Sequence, residues 1–178
     1  MPRTLGYHWV KTGYGLWLPG DSRGHWSTAW DEQIGYTRPH MLNDGDPVRL
    51  RMAQELMKHP EVKFTPPMID VVVRVIGECC RASPWQIAAA SIESTHTHLL
   101  ITYGGLDIDR TTKWISQQTT KAIHNETSHA GPVWSRNDWT SHVFDAQYFM
   151  NIKRYIERYN ERRGKGARSY DFISDVIL

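Results

Sequence analysis

The sequence predicts an α+β fold in which helices pack on a mostly antiparallel sheet. The chain has 178 residues, a length that suits a single domain with a buried core, and we expect this domain to cover residues 1–178. Two strand-like apolar segments, at 85–92 and 97–103, are joined by a short connection that favours an antiparallel hairpin. Segments with apolar residues at helical spacing lie before and after this hairpin.

The elements follow in order along the chain. We expect a strand at 7–10, an irregular excursion at 19–47, helices at 47–59 and 66–81, strands at 85–92 and 97–103, a helix at 109–125, short strands at 133–136 and 139–144, a helix at 146–163 and a tail at 164–178. Helix starts are indicated by an Asp-Pro pair at 46–47, a Thr-Pro pair at 65–66 and the N-cap residue Asp145. Gly164 ends the last helix.

Composition and charge exclude several classes of protein. A charged fraction of 22% and a hydrophobic fraction of 40% argue against disorder. The longest apolar stretch, 71–76, is too short to cross a membrane, and the N-terminal residues show no signal peptide. The adjacent pair Cys79 and Cys80 rarely forms a structural disulfide, so we expect a cytoplasmic protein with reduced cysteines.

The net charge of +2 hides an uneven distribution. Residues 151–168 hold seven of the 21 basic residues but only two of the 19 acidic ones, a local charge of +5 that leaves −3 elsewhere. A basic helix attracts phosphate groups. A solvated helix face with ion pairs between neighbouring turns would show the same composition, so the charge alone does not identify a partner.

His96 and His98 form the first candidate site. They flank Thr97 in a predicted strand, where residues two apart point to the same face. Two imidazoles on one face can share a divalent metal ion, and imidazole suits Mn²⁺ and Zn²⁺ whereas Mg²⁺ prefers oxygen. Two unrelated histidines at a strand end would show the same spacing.

Tyr155 is the second candidate, on the basic helix. The apolar stripe of that helix consists of Phe149, Ile152, Ile156 and Tyr159. With about 100° between residues, Tyr155 lies roughly 70° from the middle of the stripe. Its ring can pack while its hydroxyl reaches a cleft, although an ordinary amphipathic core tyrosine would occupy the same position.

Together these segments resemble the single-tyrosine HUH transposases, most closely the repeat-associated tyrosine transposases of the IS200-like group. The resemblance rests on GYGLWLPGDSRG at 13–24, HTHLLI at 96–101, KWI at 113–115, VW at 133–134 and YIERYN at 155–160. The segments occur in this order over roughly residues 5–163. The resemblance implies a ferredoxin-like antiparallel sheet of HUH endonuclease type, with the histidines on a central strand and the tyrosine on a helix beside them.

The same resemblance implies that the protein nicks and joins single-stranded DNA. Tyr155 would attack a phosphodiester to form a 5′-phosphotyrosine link and a free 3′-OH. His96 and His98 would hold Mg²⁺ or Mn²⁺, which polarises the scissile phosphate. The partner would be single-stranded or hairpin DNA, bound by a monomer or a homodimer.

The sequence departs from the family pattern at the third metal ligand. Insertion-sequence relatives have a Gln four residues after the tyrosine, and here that position is Tyr159. The candidates for the third ligand are therefore Tyr159 itself, Asn151 one turn earlier, Glu93 on the hairpin and Asn160. Asn160 lies about 140° round the helix from Tyr155 and is poorly aimed unless the helix end distorts. Tyr159 is also an alternative nucleophile.

Basic and aromatic side chains supply the expected DNA contacts. Phosphate contacts are expected from Lys113, Lys121, Arg154, Arg158, Arg162, Arg163 and Lys165. We expect the two lysines to line the same cleft as Tyr155. Tryptophans in loops or short strands can stack on unpaired bases, although anchoring the core is their commoner role. These are Trp17, Trp26, Trp30, Trp134 and Trp139.

Two other functions remain open at this point. The first is a catalytically degenerate protein of the same fold that binds hairpin DNA or RNA, which the missing Gln suggests. The second is an unrelated metal-dependent hydrolase that uses His96 and His98.

Overall fold

The computed structural model describes residues 3–23, 44–105 and 107–176. Within these ranges the elements are β1 (Gly6–Thr12), α1 (Pro47–Glu55), α2 (Pro66–Arg81), β2 (Ile87–Ile92), β3 (His96–Thr102), α3 (Ile108–Glu126), β4 (Trp139–Val143) and α4 (Ala146–Arg162). The predicted α+β class is confirmed. Most of the excursion expected at 19–47, with Trp26 and Trp30, lies outside the described residues.

The strands form one antiparallel sheet with the order β2-β3-β1-β4. The predicted hairpin of β2 and β3 is confirmed, and β1 enters between β3 and β4. In the register of β1 and β3, His8 lies opposite Leu100 and Val10 lies opposite His98. Residues directly opposite each other share a face of the sheet, so His8 and His98 point to the same side.

Helices cover both faces of this sheet. On one face, α2 and α3 pack on alternate strand residues in the larger apolar cluster, which includes Trp9, Val72, Ile76, Leu99, Ile101 and Ile115. On the other face, α4 packs in a smaller cluster that includes Ala89, Leu100, Val143, Phe149, Ile152 and Ile156. Ile156 is fully buried, and burial of such a side chain contributes about 1.5–3 kcal/mol.

Helix ends follow the predicted capping chemistry in most places. The Asp46 carboxylate accepts hydrogen bonds from the backbone at the start of α1, and Asp145 does the same for α4. Gly164, with a φ of 71°, ends α4 in the left-handed conformation. α1 ends at Glu55 and not near His59, because the Met57 N–H turns back to the Gln54 carbonyl in a tighter turn.

The predicted strand at 133–136 is wrong. In the part of the chain described, this segment makes one isolated bridge, between Trp134 and Gly13. The Trp134 indole N–H donates to Thr119 of α3 over 2.9 Å, and the Ser135 hydroxyl turns the chain by donating to the Asn137 carbonyl. The segment therefore anchors the end of the sheet to α3 and then bends away before β4.

The C-terminal tail is tied to the sheet. Phe172 is buried in the larger apolar cluster, and Ile173 forms a parallel bridge to Ile87. None of the described helices is long and apolar enough to span a membrane.

Candidate active site

His96 and His98 lie side by side on the central strand β3 and face α4. Their ring centroids are 4.8 Å apart and the rings are almost perpendicular, at 85°. Both side chains are buried. The shared face follows from the alternation of a strand, as the His-x-His spacing predicts.

Each of these histidines has one ring nitrogen engaged within the protein. Nδ1 of His96 lies 2.9 Å from the Thr95 hydroxyl oxygen, and Nδ1 of His98 lies 3.1 Å from Nε2 of His8. The Nε2 atoms of His96 and His98 are therefore the nitrogens left for a ligand.

His8 is a third histidine at the site, and no sequence motif predicts it. Its ring stacks on that of His98 with a centroid distance of 5.3 Å and an angle of 22°. It is as deeply buried as His98, with 6% of each residue exposed. A single histidine in an aromatic strand carries no motif, and its neighbour in space is 90 residues away in sequence.

Burial keeps the three imidazoles neutral. It lowers the pKa of His8 to about 4. It lowers the pKa of His96 to about 4, with help from the charges of Arg163 and Arg23. The pKa of His98 falls to about 2, mainly through burial and also through the neighbouring His96 and His8. The neutral imidazole is the form that binds metal ions.

Tyr155 and Tyr159 of α4 lie against these histidines. The Tyr155 ring centroid is 5.7 Å from that of His98 and 6.3 Å from that of His8. The Tyr159 centroid is 5.4 Å from His98 and 5.9 Å from His96. Tyr155 is 46% exposed, so a substrate can reach this predicted nucleophile.

The Tyr155 hydroxyl is a phenol at neutral pH. Burial, together with the hydrogen bond and charge of Tyr159, raises its pKa to about 12, and the charge of Arg162 opposes this shift. The hydroxyl donates to the Tyr159 oxygen over 3.4 Å, which is a weak bond. Attack by this oxygen therefore requires loss of its proton as the new bond forms.

The four candidates for a third ligand differ in their surroundings. Tyr159 contacts both histidines of the pair. The Asn160 amide is fully buried and donates to the carbonyls of Ala90 and Ala167, so it ties α4 to β2. Asn151 is exposed and accepts a hydrogen bond from the side chain one turn before it.

Glu93 is buried and already paired. One carboxylate oxygen accepts a hydrogen bond from Ser91 over 2.9 Å, and the other lies 2.6 Å from Nε of Arg163. Among the described residues, no group of three or more His, Cys, Asp or Glu side chains is arranged to hold a metal ion.

The predicted DNA-contacting residues fall into two groups. Arg154, Arg158 and Arg162 are exposed on the helix that carries Tyr155, and Lys165 follows its end. Arg163 belongs to the same helix end but is paired with the Glu93 carboxylate.

The expectation that Lys113 and Lys121 share the Tyr155 cleft is wrong. Both lie on α3, which packs on the face of the sheet opposite the histidines. They line a separate groove of about 850 Å³ between α3 and residues 132–136, which also includes Lys11. The helix spacing was readable from the sequence, but the face on which the helix packs was not.

Two of the predicted tryptophans flank the histidines. The Trp17 ring lies edge-on to His96 at 5.2 Å, and Trp139 lies edge-on to His8 at 5.1 Å. Trp17 has a φ of 53°, a left-handed conformation that non-glycine residues rarely adopt. Trp134, in contrast, is buried in the core.

Comparison with known proteins adds a family and a fold. The family described as "Transposase IS200 like" matches residues 57–159, which include His96, His98, Tyr155 and Tyr159. The chain is also similar to a solved REP-associated tyrosine transposase bound to a REP hairpin, with 12% identity, a TM-score of 0.53 and coverage of 97% of this chain and 78% of that one. At this identity the likeness shows a shared fold.

A putative transposase from Deinococcus radiodurans is a second similar structure. It has 13% identity, a TM-score of 0.39 and coverage of 89% of this chain and 92% of that one. No curated protein matches the sequence.

Proposed function

Because the chain belongs to the IS200-like transposase family, we propose that it nicks and joins single-stranded DNA through a covalent phosphotyrosine intermediate. The observation that carries this proposal is the position of Tyr155, an accessible phenol in contact with two of three buried, neutral histidines. The similar transposase structure is bound to a REP hairpin, which supports hairpin-flanked DNA as the substrate class.

The Tyr155 oxygen is the proposed nucleophile. It attacks the phosphorus of a phosphodiester, and the bond from phosphorus to the 3′ oxygen breaks as the new bond forms. The downstream part of the strand stays on Tyr155 through its 5′ phosphate, while the 3′ oxygen of the upstream part takes up a proton and leaves as a hydroxyl. A second 3′-OH can reverse the step and join two strands, because the phosphotyrosine bond preserves the energy of the original linkage.

His96 and His98 are the proposed metal ligands, and their chemistry fits a divalent ion. Both are neutral, both offer Nε2, and both have Nδ1 engaged by a neighbour, as is usual for metal-bound histidines. Because the donors are imidazole nitrogens, Mn²⁺ suits the pair better than Mg²⁺, which prefers oxygen ligands. Such an ion supplies positive charge that polarises the scissile phosphate.

The surface of α4 fits a nucleic-acid strand. Arg154, Arg158 and Arg162 place positive charge along the helix on either side of Tyr155. Trp139 is 38% exposed beside His8 and offers a ring on which a base can stack. These side chains would hold the strand, and the histidines and Tyr155 would act on it.

A covalent-adduct assay tests the proposal. The protein is incubated with a library of hairpin-flanked single strands and Mn²⁺ or Mg²⁺, and products are separated on a denaturing gel. We expect a protein–DNA adduct from the native chain and none from Tyr155→Phe, with DNA affinity nearly unchanged. Tyr159→Phe is the matched control, because it removes the same atom one turn along the helix, and it should still form the adduct.

Other outcomes would favour the other functions. Tight hairpin binding without an adduct on any strand favours the degenerate binding protein, which the Tyr159 replacement of the family's Gln suggests. Undiminished cleavage by Tyr155→Phe would indicate that Tyr159 is the nucleophile. Metal-dependent hydrolysis of a small ester that survives Tyr155→Phe would favour the hydrolase.

A further inference from the structure

We propose that His8 is a positioning residue that accepts a hydrogen bond from Nδ1–H of His98 and thereby keeps the Nε2 lone pair of His98 free for a ligand. This inference rests on the proposed role of His98 as a metal ligand. It assigns a function to a residue of β1 that the His-x-His motif does not contain.

The geometry of the pair supports this role. Nε2 of His8 lies 3.1 Å from Nδ1 of His98, which is hydrogen-bond distance. The bond is buried, so water competes little for either nitrogen. Because strand register places His8 opposite Leu100, its side chain reaches diagonally across the sheet to His98.

The chemistry of neutral imidazole makes the direction of this bond important. A neutral ring carries one N–H, so one of the two facing nitrogens donates and the other accepts. If His98 donates from Nδ1, its Nε2 has a free lone pair and can bind a metal ion. If His8 donates, the proton of His98 resides on Nε2 and blocks that atom.

His8 is held in place by rings on several sides. It stacks on His98, meets the edge of Trp139 at 5.1 Å and contacts the Tyr155 ring at 6.3 Å. These contacts restrict its rotation, so the acceptor nitrogen stays aimed at His98. Histidine-bound metals commonly depend on such a partner, and its loss weakens metal affinity about 10–100-fold.

The first experiment reads the tautomer directly. Nitrogen-15 NMR of the metal-free chain, with labelled histidine, identifies which nitrogen of His98 carries the proton. We expect Nδ1–H in the native protein. A proton on Nε2 of His98 would overturn the proposal, and this reading requires neither a metal ion nor DNA.

The second experiment measures Mn²⁺ affinity by electron paramagnetic resonance. His8→Leu keeps the buried volume but removes the acceptor, and we expect about 10–100-fold weaker binding. His8→Gln places an amide oxygen near the position of Nε2, and we expect its affinity to stay within a few-fold of the native value. His142→Leu is the matched control, because His142 lies on β4 and faces Tyr7 on the other side of the sheet.

The outcomes separate this inference from the proposed function. Native Mn²⁺ affinity in His8→Leu, or equal loss in His8→Gln, would overturn the role of His8. Absence of Mn²⁺ binding by the native chain would refute the metal role of the histidine pair, while the tautomer still decides whether His8 orients His98. If His8→Leu does not fold, the His8→Gln affinity and the native tautomer decide the matter.

Discussion

The two faces of the sheet use the same strands for different purposes. Towards α2 and α3, β1 and β3 present Trp9, Leu99 and Ile101 to the larger apolar core. Towards α4, the same two strands present His8 and His98. Because strand residues alternate, stability and chemistry are assigned to adjacent positions of one chain segment. The apolar face fixes the strands that hold the histidines.

Substitution of two adjacent residues gives the largest contrast between the faces. Leu99→Ala should lower the free energy of unfolding by about 2–5 kcal/mol, because it leaves a cavity in the core. His98→Ala should destabilise the fold less but reduce Mn²⁺-dependent cleavage about a thousand-fold, since charge stabilisation by a metal ion is worth several kcal/mol. Urea unfolding and single-turnover cleavage measure the two effects.

Two results would contradict this difference between Leu99→Ala and His98→Ala. Cleavage by His98→Ala at the native rate would remove this residue from the site. Equal loss of stability in both variants would show that His98 serves mainly to hold the fold.

The buried histidines predict a pH dependence of stability in the metal-free chain. Folding lowers the pKa of His8 and His96 from about 6.5 to about 4, so the unfolded chain binds more protons between these values. Their contribution to the free energy of unfolding is complete above pH ~6.5 and is lost as the pH falls towards 4. In that window each histidine changes the free energy of unfolding by up to about 1.4 kcal/mol per pH unit.

Urea unfolding at pH 7 and pH 5 measures this dependence. From pH 7 to pH 5 the free energy of unfolding should decrease less in His8→Leu than in the native chain, because one titrating histidine has been removed. An identical decrease in both proteins would contradict a neutral, buried His8.

The smallest predicted effect separates the basic residues of the two faces. Arg154→Gln combined with Arg158→Gln should remove about two phosphate contacts and so reduce the salt slope of single-strand binding by about 1.4, because each contact with a single strand adds about 0.7 to the slope. Lys113→Gln combined with Lys121→Gln should leave binding of an unpaired strand unchanged, since these lysines line the opposite groove. Fluorescence anisotropy at several salt concentrations measures both slopes. Equally reduced slopes in the two double variants would show that one strand contacts both faces, and native slopes in both would contradict the role of Arg154 and Arg158.

Local patterns explain why most of the fold could be predicted from the sequence. The helix at Pro66–Arg81 and the hairpin of β2 and β3 have apolar periodicity and end signals within a short window. The segment at 133–136 has a strand-like composition too, but its backbone bonds to Thr12 and Tyr14 form a single isolated bridge, and the Trp134 side chain holds it against α3. Tertiary contacts determine the conformation of this segment, and its amino-acid composition does not reveal those contacts.

The site could be predicted only where its residues are close in sequence. His96 and His98 share a face because they are two residues apart, and Tyr155 lies at the edge of a helix stripe. The neighbour of His98 on β1 depends on strand order and register over 90 residues, which no local pattern reveals. The side of the sheet on which α3 packs is equally non-local, so the position of Lys113 and Lys121 does not follow from the sequence.

Mapping the covalent adduct tests the central claim most directly. Trypsin cleaves after Arg154, Arg158 and Arg162, so Tyr155 and Tyr159 are released on different peptides, YIER and YNER. After reaction of the native chain with hairpin-flanked single-stranded DNA and Mn²⁺, mass spectrometry should find the nucleotide phosphate on YIER. A phosphate on YNER, or strand cleavage with neither peptide modified, would contradict the assignment of Tyr155 as nucleophile.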